Sequence, residues 1–231
     1  MQLVSNPSMK DLSSRIIPAL FAQFGGVGMA PDAFAIVLFR RSADGQPVGF
    51  SHRADCSFYP CSLVKAFHMV HALKALETGR LLPHPDLDRA LNDMIVWSSN
   101  TATNYVIDLL TRTTGDTRLE LSELADWIGA REGLNRHFRD LGWGEFTACS
   151  ITQKLMDDRR YGREAQYAGH DDDNLNILTP SAAARLMWEL FDGDAGLEDA
   201  STQRARSLLQ RSKTHDLVDN PQYQLAGYLG G

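Results

Sequence analysis

Leu12, Ile16, Leu20 and Phe24 recur every four residues, the spacing of one face of an amphipathic helix. A first helix is therefore predicted over about 9–24, stopped by Gly25-Gly26. Residues 34–39 are rich in strand formers, Asp44-Gly45 is a turn signal, and 46–52 reads as a returning strand. Together they predict a hairpin over 34–52. From Ser62 onward the pattern changes. Leu63, Phe67, Val70 and residues 73–76 keep helical spacing, while Val64, Ala66 and Met69 fill other faces. A helix apolar nearly all round belongs at the centre of a core, and Gly79 closes it. Segments 86–97, 101–111, 119–128 and 132–141 read as further helices, with Ser98-Ser99-Asn100 between the first two. Residues 144–178 are polar and irregular, a loop long enough to be functional or disordered. Thr179-Pro180 starts a helix reaching about residue 191, with Thr as cap and Pro in the first turn. A last helix covers about 200–211.

Helix, hairpin, then mostly helices is an α+β order. It predicts a helical lobe beside an antiparallel sheet whose later strands are absent, so the sheet reads as incomplete. With 231 residues and no internal repeat, one domain is expected. The hairpin part would be 33–55, the helical lobe 60–195, and a C-terminal helix and end 196–231.

Composition narrows the function classes. An apolar share of 43% beside 23% charged residues is that of a soluble globular chain. The formal charge is −6 with no basic stripe, which excludes nucleic acid as the expected partner. No polybasic anchor and no stretch of spanning length point to a membrane. Residues 16–21, behind Lys10 and Arg15, have a faint leader character, but the amphipathic-helix reading is preferred. The expected compartment is cytoplasmic, with the periplasm as alternative. Cys56, Cys61 and Cys149 are too few and too odd in number for a disulfide framework. Buried free thiols are expected, with a pair from Cys56 or Cys61 to Cys149 left open.

Ser62-Leu63-Val64-Lys65 carries the candidate chemistry. Serine three residues before lysine at a helix start puts both side chains on one face. A serine hydroxyl needs a neighbouring base to attack a carbonyl. A desolvated lysine can serve, and Lys65 sits among Leu63, Val64, Ala66 and Phe67. The helix N-terminus also offers N–H groups to an oxyanion. Ser98-Ser99-Asn100 supplies a second hydroxyl for proton relay and an amide to orient substrate. Each motif alone is equally a helix cap with a solvated lysine.

The stretch from Ser98 to Asn104, Ser-Ser-Asn-Thr-Ala-Thr-Asn, resembles the S-D-N-T-A-x-N stretch of class A β-lactamases. Phe58-Tyr59-Pro60-Cys61-Ser62-Leu63-Val64-Lys65 resembles the nucleophile segment of that family. The hairpin stands where that fold places its first two strands. Asn176-Ile177-Leu178-Thr179-Pro180 resembles the exit of its omega loop, so the likeness covers about 30–195. The resemblance implies Ser62 as acylated nucleophile, Lys65 as its base, Ser98 as proton shuttle and Asn100 as the residue that binds the substrate amide. The Ser62 N–H would supply half of an oxyanion hole. Substrates would be small-molecule or peptide-like amides, esters or β-lactams, and no cofactor or metal is needed.

Three departures qualify the functional implications of the resemblance. The interval between the two boxes is short, which implies a trimmed helical lobe. The omega-loop glutamate is out of place. Arg163-Glu164 is the nearest match, with Glu164 either a displaced deacylating base or, as expected on general grounds, a surface glutamate. No K-T-G box is present, and Lys213-Thr214-His215 reads as a decoy. The rival readings are a penicillin-binding or sensor-like module with slow turnover, and a catalytically incomplete fragment or pseudoenzyme. A metal-binding module through His170-Asp171-Asp172-Asp173 is a third, though these residues lack the spacing of a calcium loop. His68 and His71 are expected to be packing or surface histidines. Trp97 is expected either to line the cleft or to join the core.

Overall fold

A computed structural model describes residues 1–30, 32–155, 160–169 and 174–210. Helix α1 (Pro7–Phe24) starts two residues before the predicted boundary. Asn6 caps it by accepting the Met9 N–H at 2.9 Å, and Pro7 occupies the first helical turn, where its missing N–H costs nothing. Strands β1 (Ile36–Arg41) and β2 (Pro47–His52) form the expected antiparallel hairpin, with Ile36 opposite His52 and Arg41 opposite Pro47. Val4 lies parallel to β2 and brackets it with two backbone hydrogen bonds, to Pro47 and Gly49. Gly49 is required there, because a Cβ would run into the Leu38 carbonyl. Among the described residues the sheet has only these two strands, so it is incomplete as expected. Met9, Val48 and Phe50 form its small core, with Leu12, Ile16 and Ile36 packed around them.

The helical lobe is built on α2 (Val64–Glu77), which comes after a 3₁₀ turn at Cys61–Leu63. Its residues from Val64 to Leu73 are all buried, as an all-round apolar helix must be. Around it stand α3 (Pro85–Val96), α4 (Asn100–Thr111), α5 (Leu121–Arg131), α6 (Gly133–Asp140), α7 (Gly162–Ala168), α8 (Pro180–Phe191) and α9 (Asp199–Leu209). Phe67 meets Phe138 of α6 edge-on at 5.1 Å and Phe146 at 5.7 Å. Leu91, Met94, Ile107, Leu134 and Leu186 complete the centre. Each such side chain contributes about 1.5–3 kcal/mol through burial.

The structure corrects several expectations. Residues 144–178 are not irregular throughout. They hold a 3₁₀ turn at Gly144–Phe146, helix α7 and two short bridges, Ser150 with Ile177 and Phe58 with Leu178. Their polar side chains satisfy each other inside the protein. The Gln153 N–H donates to Asn176 Oδ1 and the Asn176 N–H to Gln153 Oε1, both at 2.9 Å. Glu164 is not a surface residue but is buried. The three cysteines are free, and only Cys149 is buried; Cys56 is half-buried and Cys61 is exposed. Trp97 is partly exposed rather than part of the core. His68 and His71 are buried packing residues. Among the described residues no group of three or more His, Cys, Asp or Glu could hold a metal ion, and no helix is long and apolar enough to cross a membrane. Residues 170–173 and 213–215, with the metal and decoy readings placed on them, lie outside the described residues.

Candidate active site

Ser62 sits in the 3₁₀ turn that leads into α2, and Lys65 in the first turn of the α-helix itself. N–H groups at such a helix start have no partner within the helix. Cys61, immediately before Ser62, has φ +48°, and Ser98 has φ +54°. Left-handed backbone costs a residue with a Cβ roughly 1–2 kcal/mol. Strain of this kind clusters at functional sites but is not confined to them, since Arg112 at the far end of α4 has φ +56°. Ser98 lies two residues past the end of α3, and the N–H groups of Trp97 and Ser99 on either side of it both donate to the Asp93 carbonyl. Ser99 then caps α4 by accepting the Ala102 N–H at 3.2 Å. The tight link between α3 and α4 thus fixes Ser98 and Asn100 over the start of α2.

The side chains converge on Lys65, which is 3% exposed. Its Nζ donates to Ser62 Oγ at 3.1 Å, to Ser98 Oγ at 2.9 Å and to Asn100 Oδ1 at 2.8 Å. The Ser98 carbonyl lies 2.6 Å from the same nitrogen, so four acceptors share its three hydrogens. Ser98 Oγ donates to Ser62 Oγ at 3.0 Å. Two hydroxyls and an amine form a closed triangle, so a proton can pass between any two of them over a single hydrogen bond. His68, one turn further along α2, is held neutral. Burial, then the charges of Arg131 and Lys65, push its pKa down to about 3. An apolar groove of about 700 Å³ is lined by Phe34, Val37, Phe39, Tyr59, Pro60 and Leu63 among others, and by none of Ser62, Lys65, Ser98 and Asn100, although Leu63 follows Ser62 in the chain.

Four of the five residues singled out in the sequence, Ser62, Lys65, Ser98 and Asn100, are brought together. Glu164 is not placed with them. Both its oxygens accept from the Arg131 guanidinium, at 2.7 and 3.1 Å. Sequence reasoning missed Asn104, Asp108, Arg131 and Lys154. Asn104 grips the Leu155 backbone in both directions, at 2.7 and 2.9 Å. The signal was present, since Asn100, Asn104 and Asp108 recur at helical spacing as a polar stripe on α4.

Residues 82–223, more than half of the chain, match the model of the β-lactamase enzyme family. The chain belongs to that family. The matched span includes Ser98 and Asn100 and begins after Ser62 and Lys65. Solved structures extend the likeness in fold. The class A β-lactamase of the last common ancestor of Gram-negative bacteria aligns with a TM-score of 0.53 at 21% identity, covering 86% of this chain and 72% of that one. A β-lactamase from Streptosporangium roseum aligns with 0.53 at 18% identity, covering 90% and 74%. One from Desulfarculus baarsii aligns with 0.52 at 18% identity, covering 87% and 71%. Among curated protein sequences none matches the chain. Family and fold together make this a β-lactamase-like serine hydrolase.

Proposed function

We propose that this β-lactamase-family chain forms an acyl-enzyme through Ser62 on an amide, ester or β-lactam carbonyl. The observation that supports this best is the triangle of Lys65 Nζ, Ser62 Oγ and Ser98 Oγ, with Asn100 beside it. Lys65, withheld from water, acts in its neutral amine form, whose nitrogen lone pair takes the Ser62 proton as Oγ attacks the carbonyl carbon. The Ser62 N–H donates to the resulting oxyanion, half of the stabilisation such a centre needs. The C–N or C–O bond then breaks. The proton travels from Lys65 through Ser98 Oγ to the leaving nitrogen or oxygen. Asn100 donates from its amide to a carbonyl of the substrate and so holds it in line.

A second reading concerns the lifetime of the acyl-enzyme. Glu164, the nominated deacylating base, has both oxygens engaged by Arg131. A carboxylate so occupied is poorly placed to activate water, which favours a long-lived adduct and a penicillin-binding or sensor-like role over rapid hydrolysis.

Intact mass after incubation with a penicillin, then peptide mapping, tests both readings. The expected result is one adduct on Ser62, absent in Ser62→Ala and slowed by about a hundredfold or more in Lys65→Ala. An adduct that persists for hours supports the binding role, and one that decays within minutes supports hydrolysis. A folded chain that gains no mass with penicillins, acyl esters or peptide thioesters overturns the acyl-enzyme reading.

A further inference from the structure

Arg131 and Glu164 form a buried ion pair, with side chains 0% and 7% exposed. Replacing such a pair by apolar residues is often neutral or stabilising, so its presence is weak evidence of a stability role. Its geometric effect is more informative. Arg131, at the end of α5, uses its fork in four directions. Nε donates to Thr113 Oγ1 at 2.9 Å, and Nη1 to the Thr152 carbonyl at 3.0 Å. Nη1 and Nη2 hold Glu164 of α7. The guanidinium also lies 4.3 Å from the Trp127 ring centre. One side chain thereby pins residues 113, 152 and 164 together.

From Thr152 the chain runs along α4. Lys154 Nζ is 2.7 Å from the Asp108 carboxylate and 3.9 Å from Glu164 Oε1. Leu155 is gripped by Asn104. Asp108, Asn104 and Asn100 succeed one another up a single face of α4, and Asn100 meets Lys65 at 2.8 Å. The same 144–178 segment returns to the site at its far end, where Leu178 pairs with Phe58, four residues before Ser62.

We propose that Glu164 is a positioning residue, which through Arg131, Lys154 and Asp108 holds segment 152–155 along α4 and thereby sets Asn100 against Lys65. The assignment rests on the acyl-enzyme reading for its kinetic consequence but not for its structural one. It replaces a base role for Glu164 by a mechanical one. Glu164→Gln keeps the shape, removes the charge, and leaves the Arg131 guanidinium short of its partner.

The experiment compares five forms of the full chain: the wild type, Glu164→Gln, Asp108→Asn, the double variant of these two, and Leu190→Ala. Leu190 is fully buried on α8, away from the proposed linkage, and serves as a destabilised control. Acylation by a penicillin is monitored by stopped-flow mass analysis, and amide hydrogen exchange by mass spectrometry without ligand. Glu164→Gln is expected to acylate about tenfold more slowly, the size of effect a small misplacement produces. Asp108→Asn is expected to lose less, and the double variant less than the product of the two. Leu190→Ala, matched in melting temperature, keeps the wild-type rate. In the exchange experiment Glu164→Gln speeds exchange in peptides covering residues 150–155 and the first turn of α4, and Leu190→Ala does not. Wild-type exchange there in Glu164→Gln overturns the proposal, as does a rate that tracks melting temperature across all variants. If the wild type itself fails to acylate, the acyl-enzyme reading falls, and the exchange result still decides the positioning role.

Discussion

The two lobes of this molecule are built to different depths. The helical lobe encloses α2 in a ring of helices, and its core runs from Val64 to Ala205 without a break in packing. The sheet lobe rests on Met9, Val48 and Phe50 with three partly buried neighbours, and among the described residues β1 pairs only with β2. All four residues of the site stand on the helical lobe or the turn leading into it. Chemistry that depends on sub-ångström placement sits where packing is dense, while the sheet lobe lends Phe34, Val37 and Phe39 to an apolar groove that the site residues do not line. The difference makes the lobes separable by perturbation, and the perturbations can be ranked.

Acid should act most strongly, and on the helical lobe. His71 of α2 stacks on His137 of α6 with ring centres 4.1 Å apart and planes 3° from parallel. His68 lies three residues before His71 on the same helix. Among the described residues neither nitrogen of His68 or His71 has a hydrogen-bond partner. Burial lowers the pKa of His71 to about 2, helped by the positive influence of His137, Arg80 and His68. Burial, then Arg80, lowers that of His137 to about 4, against an opposing effect of Asp140. In the unfolded chain these histidines take up protons below about pH 6.5, while the folded chain keeps them neutral until about pH 4 or lower. The unfolded state binds more protons in that window, so stability is intact above it and falls as the pH drops through it. Each histidine contributes a slope of up to about 1.4 kcal/mol per pH unit. Urea melts between about pH 7 and 4.5 should show this loss, and His71→Phe/His137→Phe should remove most of it. An equally steep loss in the double variant would place the acid-sensitive groups elsewhere.

Truncations should separate the lobes next. Phe67 is fully buried between Phe138 and Phe146, and Phe67→Ala should cost about 3–5 kcal/mol. Val48 is 7% exposed in the small cluster beside α1. Val48→Ala should cost only about 1–2 kcal/mol, because fewer neighbours lose contacts and the site can relax. Denaturant melts of the two variants check both values. A sheet-lobe loss as large as that of Phe67→Ala would mean that the two lobes unfold as one block.

The same contrast explains why some features were legible in the sequence and others were not. The helical lobe announced itself through periodicity, because a buried helix such as α2 leaves a run of apolar residues and its neighbours leave stripes. Caps mark the boundaries where they are recognisable, as Thr179 does for α8. Asn6 is a less obvious cap, and with it the first turn of α1 escapes the periodic pattern. Ser62, Lys65, Ser98 and Asn100 are visible because two short motifs fall near helix starts. Glu164 is misread because local polarity in 144–178 looks the same whether the partner is water or Arg131. That distinction depends on a contact 33 residues away, which no local pattern carries. The left-handed turn at Ser98 is equally invisible, since serine there contradicts the usual preference for glycine.

That turn has a counterpart which yields the smallest and most discriminating prediction. Ser98, two residues past the end of α3, has φ +54°, and Arg112, just past the end of α4, has φ +56°. Both are positions where glycine removes the steric cost of a Cβ. Arg112 is exposed, far along α4 from Asn100, and its N–H closes the helix on Asp108 at 2.7 Å. Arg112→Gly should therefore stabilise the chain by roughly 0.5–1 kcal/mol, the gain left after glycine's greater unfolded-state entropy is counted. Its acylation rate should not change. Ser98→Gly should gain a similar amount from the same relief of strain. It also removes the hydroxyl that links Lys65 to Ser62, so acylation should slow by about a hundredfold. Melting temperature and acylation rate measured on the pair would show whether strain at Ser98 is retained for its hydroxyl. If Ser98→Gly lowers the melting temperature, the hydrogen bonds of the triangle outweigh the strain. The site would then stabilise the fold rather than burden it.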